Sequence, residues 1–380
     1  MSPKPVDENF VRALPKIELH AHLSGSISRQ CLHELWLQKK KQSPEFQLED
    51  PLMLMPPGKV DFTLETFFST FSKLTYQLCD DLETLVYATN SVLEDFLNDG
   101  VVYLELRTIP RKSPNISREQ YVDTVLGTIE AFRNKNSRMS IFLILAIDRG
   151  NMSAAEADQI INLAIENQPR GVVGVDICGN PTRGDVSIFK DSFHRAKMSG
   201  LGITLHFGET AASGSPSELE MLLSFQPDRI GHVIHVPEDI KREIVKRKLG
   251  LELCISCNVH AKMINGGFLD HHFGYWRHED CPIALCVSRS SLEKKKKKNH
   301  SANFTLILGL QTDDVGFFCS PVSNEHLLAA HHFGLSRGDL LDMTLRAVDA
   351  IFAGQQYQEK IRQDLATFAA TWEVEKSVTS

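Results

Sequence analysis

The strongest constraint on this chain is an alternation of strand-like and helix-like segments. Short runs rich in Val, Ile and Leu fall at 16–23, 101–107, 140–148, 172–179, 203–209, 229–235, 251–258 and 282–286. Most are nearly continuous in apolar residues, as parallel strands covered on both faces must be. Helix start signals lie between them. Ser117-Arg-Glu-Gln120 and Ser153-Ala-Ala-Glu156 have capping-box form, and Ser215-Pro-Ser-Glu218 puts a proline at the first helical position. Alternation of the two element types implies a parallel sheet. Eight strands, with no glycine-rich dinucleotide fingerprint after the first, favour an α/β fold closed as a (β/α)8 TIM barrel over an open doubly wound sheet.

One domain then accounts for residues 1–380. Residues 28–100, between the first two strands, carry several helical patterns and form a helical excursion over the barrel mouth, with 50–59 as its loop. Residues 373–380 are polar and fray. Apolar residues make up 42% of the chain, enough for a large core. A net charge of −7 argues against a dedicated nucleic-acid binder, although a few local cations can still hold a small anion. No apolar run approaches the roughly 18 residues of a membrane span. The start of the chain lacks the apolar core of a secretory signal. The eight cysteines are scattered through apolar contexts and do not form a disulfide framework. The expectation is a cytoplasmic monomer without nucleic-acid or membrane partners.

The chemistry-bearing residues cluster at strand ends. His20 and His22 alternate on the first strand, so both imidazoles face one side. At the carboxyl end of a barrel strand that side is where active sites sit, and two inward histidines are half of a metal site. In Leu205-His-Phe-Gly-Glu209, His206 offers a third ligand and Glu209 a proton carrier beside it. Gly231-His232 ends the sixth strand. Thr312-Asp-Asp314 holds adjacent acids that repel, so a buried pair needs a cation or donors. Asp313 suits the metal and Asp314 the substrate. Three histidines and one aspartate suit Zn2+ best, with iron, manganese and cobalt also compatible. Cys254 and Cys257 read as a structural pair on the seventh strand.

The run Leu14-Pro-Lys-Ile-Glu-Leu-His-Ala-His-Leu-Ser-Gly-Ser-Ile27 resembles the opening motif of the adenosine deaminase family. His206–Glu209, Arg229-Ile-Gly-His232 and Thr312-Asp-Asp314 resemble its later motifs, in order. Tyr103-Leu-Glu-Leu-Arg-Thr-Ile-Pro-Arg111, Ile147-Asp-Arg149 and Asp270-His-His-Phe-Gly274 are most similar to the adenosine deaminase-like branch. The resemblance implies zinc-dependent hydrolytic deamination of N6-methyl-AMP and related N6-substituted purine monophosphates, giving IMP and methylamine. It implies one zinc per chain on His20, His22, His206 and Asp313. Glu209 would protonate purine N1, and His232 would orient the hydroxide. Asp314 would bind N7, and the Gly179 N–H would bind N3. His22, His206 and Asp313 would also face the substrate. The phosphate would lie against Thr108, Ile109, Pro110 and Arg111, with Asp148 on the ribose or phosphate side. Phe67 and Phe71 would flank the purine. Ser24 and Thr75 stand where the branch carries Asn and His.

One segment departs from the family. Residues 287–311, 25 in all, separate Ile283-Ala-Leu-Cys286 from Thr312. They include Lys294–Lys298 and the apolar run Phe304–Leu310. We read them as an in-frame retained intron, because deletion restores Ala-Leu-Cys-Thr-Asp-Asp. Strand eight then comes either from 282–286 or, by substitution, from 304–310. Two rival readings follow: an adenosine deaminase acting on the free nucleoside, and a catalytically impaired nucleotide-binding isoform.

Overall fold

The computed structural model describes residues 4–60, 62–277, 308–372 and 374. Eight parallel strands make one sheet in sequence order: β1 (Lys16–His22), β2 (Val101–Thr108), β3 (Ser140–Asp148), β4 (Val172–Cys178), β5 (Gly202–Phe207), β6 (Arg229–His232), β7 (Gly250–Leu253) and β8 (Leu308–Leu310). The sheet returns on itself where Ala21 bridges Asp313. There the Asp313 N–H donates to the His20 carbonyl at 2.7 Å, and the His22 N–H donates to the Asp313 carbonyl at 3.1 Å. Side chains complete the seam. Gln311 Oε1 accepts from the Leu19 N–H, and Glu18 Oε2 accepts from the Thr312 N–H at 3.0 Å. The barrel implied by the alternation is therefore present.

The start signals work as read. Ser117 and Ser153 form reciprocal capping boxes on helices Arg118–Lys135 and Ala154–Glu166, and Ser215 caps Pro216–Leu223. Each such cap contributes about 1 kcal/mol.

Strand ends differ from expectation where the backbone turns. β6 stops at His232 rather than 235, because His232 and Val233 take left-handed φ values of 63° and 58°. β7 stops at Leu253, and the chain turns into the short helix Ile255–His260. Cys257 therefore lies on a helix and not on the seventh strand. The eighth slot is filled by Leu308–Leu310, the substitute strand; the run at 282–286 lies outside the described residues, as does most of 287–311.

The excursion consists of helices Arg29–Gln42, Pro51–Leu54, Leu64–Leu78 and Leu82–Asn98. Leu64–Leu78 crosses the mouth, where Phe67 packs on Phe317 at 5.1 Å between ring centroids. Among the described residues no helix is long and apolar enough to cross a membrane. Of the expected frayed end, only residue 374 is described.

Candidate active site

Four side chains converge at the carboxyl ends of β1, β5 and β8. His20, His22, His206 and Asp313 each offer one ligand atom, and these atoms all lie within 4.8 Å of one another. His22 Nε2 is 3.1 Å from His206 Nε2. Asp313 Oδ1 is 3.3 Å from His22 Nε2 and 3.5 Å from His20 Nε2. Ligands held about 2.0–2.1 Å from a tetrahedral ion lie about 3.3–3.4 Å apart, so the donor set fits a metal ion. His20 Nε2 is also buried with no hydrogen-bond partner among the described residues, which suits a metal-ligand atom.

A deeper layer orients these ligands. His20 Nδ1 donates to Glu252 Oε2 at 2.6 Å, and His206 Nδ1 donates to Asp176 Oδ1 at 3.2 Å. Each contact puts the ring proton on Nδ1 and leaves Nε2 bare for a metal. Arg107 bridges the two carboxylates, 2.7 Å from Glu252 and 3.1 Å from Asp176. Arg229 holds Glu252 and Glu105, each at 2.6 Å. Burial opposes ionisation of Glu252, but Arg107, Arg229 and His20 outweigh it and keep the carboxyl well below its ordinary value. Burial is likewise outweighed at Asp176, which His206 and Arg107 hold below its ordinary value. Gly231 makes room for this arrangement: a Cβ there would lie 2.6 Å from His20 Cε1.

Asp176, Arg229, Glu252, Glu105 and Arg107 were not singled out by sequence reasoning as site residues. Their signal is a charge inside an otherwise apolar strand, which a buried barrel interior tolerates only in pairs.

Glu209, His232 and Asp314 stand around the cluster. His232 Nε2 lies 4.0 Å from Glu209 Oε1 and 3.9 Å from Asp313 Oδ2. Burial, then the Asp313 charge, pushes Glu209 up to about 8. The same two causes raise Asp314 well above the usual carboxylate range. Both shifts favour the protonated form, which can donate. Burial lowers His232 well below its ordinary value, so its ring is neutral. Cys257 Sγ donates to Asp313 Oδ2 at 2.9 Å.

A cavity of about 720 Å³ opens above the cluster. His22, His206, Glu209, Asp313 and Asp314 form its floor, and Ser24, Ile109, Arg111, Asp148 and Gly179 line it as well. His20 and His232 lie beneath, fully buried. Phe67 and Phe71 line the wall. Three expected contacts do not. Thr75 continues the spacing of Phe67 and Phe71 but lies one turn deeper, fully buried and out of the cavity lining. The Thr108 hydroxyl is turned to the Tyr121 hydroxyl at 2.7 Å. Pro110 lines an adjoining cavity of about 430 Å³ that shares Tyr76, Ile109, Arg111 and Asp148 with the first. The Arg111 guanidinium stacks 4.4 Å over the Tyr76 ring. Arg183, not expected from the sequence, adds a second cation to the wall.

The family model described as Adenosine deaminase matches residues 15–287. The chain belongs to the adenosine deaminase family. It is a deaminase built as a metal-site TIM barrel. It is 32% identical to N6-Methyl-AMP deaminase-L of Xenopus laevis over 363 residues, 93% of this chain and 94% of that one. It is 30% identical to N6-Methyl-AMP deaminase of Homo sapiens over 370 residues, 95% of each chain. Arabidopsis ADAL complexed with IMP superposes with a TM-score of 0.82 at 30% identity, covering 96% of this chain and 100% of that one. The family match stops at the first residue of the 287–311 segment.

Proposed function

We propose that this enzyme hydrolyses N6-methyl-AMP, and related N6-substituted purine monophosphates, to IMP and methylamine with one zinc ion per chain. The observation that carries the reading is the cavity, which sets the carboxyls of Glu209 and Asp314 beside the His/Asp cluster and Arg111 on the same wall. The names of the Xenopus and human relatives, and the IMP in the Arabidopsis structure, support the same substrate class.

Zinc on His20, His22, His206 and Asp313 would supply hydroxide at neutral pH by lowering the pKa of water towards about 7. The residues of the chain do the rest. Purine N7 and N1 are hydrogen-bond acceptors, so each needs a protonated partner. Asp314, neutral through burial, donates to N7, and the Gly179 N–H donates to N3. Glu209 gives its proton to N1 as oxygen adds at C6, relieving the electron density that collects on N1. His232 steadies the attacking oxygen. The proton of the added hydroxyl then passes to the exocyclic nitrogen, the C6–N bond breaks, and methylamine leaves as the C6–O bond becomes the inosine carbonyl. Arg111 takes the phosphate in fork geometry, with Asp148 and Ser24 on the sugar side. The assignment is to a single-domain cytoplasmic monomer.

Turnover is expected despite the 287–311 segment, because Asp313 is delivered to the cluster by β8 as found. Methylamine and ammonia release from N6-methyl-AMP, N6-methyladenosine, AMP and adenosine tests the reading. Preference for the methylated monophosphate, lost in R111A, is the expected result. Equal use of the free nucleoside refutes the phosphate site, and no turnover of any of the four refutes the substrate class.

A further inference from the structure

The segment from Asp270 to Phe273 holds two histidines that the proposed chemistry leaves without a task. Both engage His232. The His272 Nε2–H donates to the His232 carbonyl oxygen, bracing a residue whose φ of 63° lies in the left-handed region. His271 reaches the His232 ring through Asn258.

The direction of that second path is fixed from its outer end. The Phe273 N–H donates to His271 Nδ1 at 3.0 Å. A backbone amide has one polarity only, so Nδ1 is the bare nitrogen. The proton of the neutral ring is then on Nε2, which lies 3.1 Å from Asn258 Oδ1. With that oxygen accepting, the Asn258 amide nitrogen faces His232 Nδ1 at 3.0 Å. An amide NH2 only donates, so His232 Nδ1 is the acceptor and its proton lies on Nε2. Asn258, His271 and His232 are all buried, at 0%, 2% and 0% exposure, so bulk water offers no alternative partner along the path. At its inner end, His232 Nε2 has no hydrogen-bond partner among the described residues and stands between Glu209 and Asp313.

We infer that the Phe273 N–H, His271 and Asn258 form a one-way hydrogen-bond relay that locks His232 as the tautomer presenting Nε2–H to the reaction centre. Asn258 and His271 are positioning residues. A His232 so held donates a hydrogen bond to the attacking oxygen and cannot remove its proton. The role of that bond rests on the deaminase reading; the direction of the relay does not.

Imidazole 15N NMR of the metal-loaded chain reads the tautomer directly, since a bare ring nitrogen resonates far downfield of a protonated one. H232Q assigns the His232 signals. The expected result is Nε2–H on both His232 and His271. In N258D the side chain only accepts, so His232 should move to Nδ1–H. Its kcat on N6-methyl-AMP should fall on the order of 10³-fold with KM changed less than about threefold, the signature of a wrong tautomer. H271Q keeps one acceptor and one donor and should retain far more of kcat than H271L. Nδ1–H on His232 in the parent chain overturns the inference, whether or not N258D folds. An unchanged His232 tautomer in folded N258D overturns it too. If the parent shows Nε2–H but turns over no purine, the substrate reading falls and the relay stands.

Discussion

Glu252→Gln tests how far the site depends on charges the substrate never meets. Glu252 accepts from His20 at 2.6 Å, Arg107 at 2.7 Å, Arg229 at 2.6 Å and Thr204 at 2.8 Å. Glutamine keeps the shape but turns one oxygen into an NH2. Whichever way the amide lies, that NH2 displaces two charge-assisted bonds: those of His20 and Arg107, or those of Arg229 and Thr204, whose hydroxyl would have to turn round to accept. Losing about two hydrogen bonds to charged groups at about 1.5–3 kcal/mol each costs roughly 3–6 kcal/mol. At about 2.1 cal/mol/K per residue, 380 residues unfold with an entropy of about 0.8 kcal/mol/K. The melting temperature should therefore fall by about 4–8 °C. Loss of the carboxylate behind His20 should also weaken the metal by about 10–100-fold. Competition against a chelator of known affinity measures the second effect, and thermal unfolding of the stripped protein isolates the first. E252Q that melts within about 1 °C of the parent and holds metal within about twofold would refute the reasoning.

Glu209→Gln removes the proton for N1 and should lower kcat on the order of 10²–10⁴-fold with little change in KM. Because burial raises Glu209 to about 8, its acid form is present below that pH; the parent's kcat should hold at neutral pH and fall as pH rises past about 8, a limb that stopped-flow assays across pH 6–9.5 would reveal or exclude. Gly25→Ala would place a Cβ 1.5 Å from Asp314 Oδ1, so Asp314 must move. A displacement of about 1 Å costs on the order of 10²-fold in rate, and unchanged kcat/KM in G25A would remove Asp314 from the substrate site. Burial raises Glu325 from 4.5 to about 7, against hydrogen bonds from Ser256 and Ser320. Below pH 4.5 folded and unfolded chains both hold this proton; between 4.5 and 7 only the folded one does, so its contribution falls by about 3 kcal/mol as pH rises through that window. E325Q should lack this slope in urea titrations at pH 5 and 7.5, and an identical pH dependence in both proteins would contradict it.

The barrel and the first shell of the site were legible for a simple reason. Strand residues alternate, so His20 and His22 had to share a side, and a carboxyl-end position had to put them at the mouth. Asp313 was legible from its acidic neighbour Asp314 and from the Thr-Asp-Asp motif it shares with the family. Boundaries failed where single residues adopt unusual backbone, as at His232 and Val233, since no pattern in the chain announces a left-handed turn at a histidine followed by a β-branched residue. Thr75 and Thr108 were misplaced because spacing along a helix or strand gives a direction but not a depth. Glu252 and Arg229 face the interior with their strands, yet their partners come from β1, β2 and β5, and pairing across a closed barrel is not written locally. Asp270–Phe273 stood out as a motif, but its placement against His232 was not legible for the same reason.

The seam between β8 and β1 has a consequence for how this chain can vary. Its contacts are made by residues 311–313 with residues 18–22, over a strand only three residues long. Between 308 and 313 the chain has no slack. Side chains alternate with a period of two, so one residue gained or lost would turn Asp313 from the cluster to the opposite side of the wall. The stretch that closes the barrel is thus intolerant of any change in length, and that intolerance begins at the first residue of the last strand.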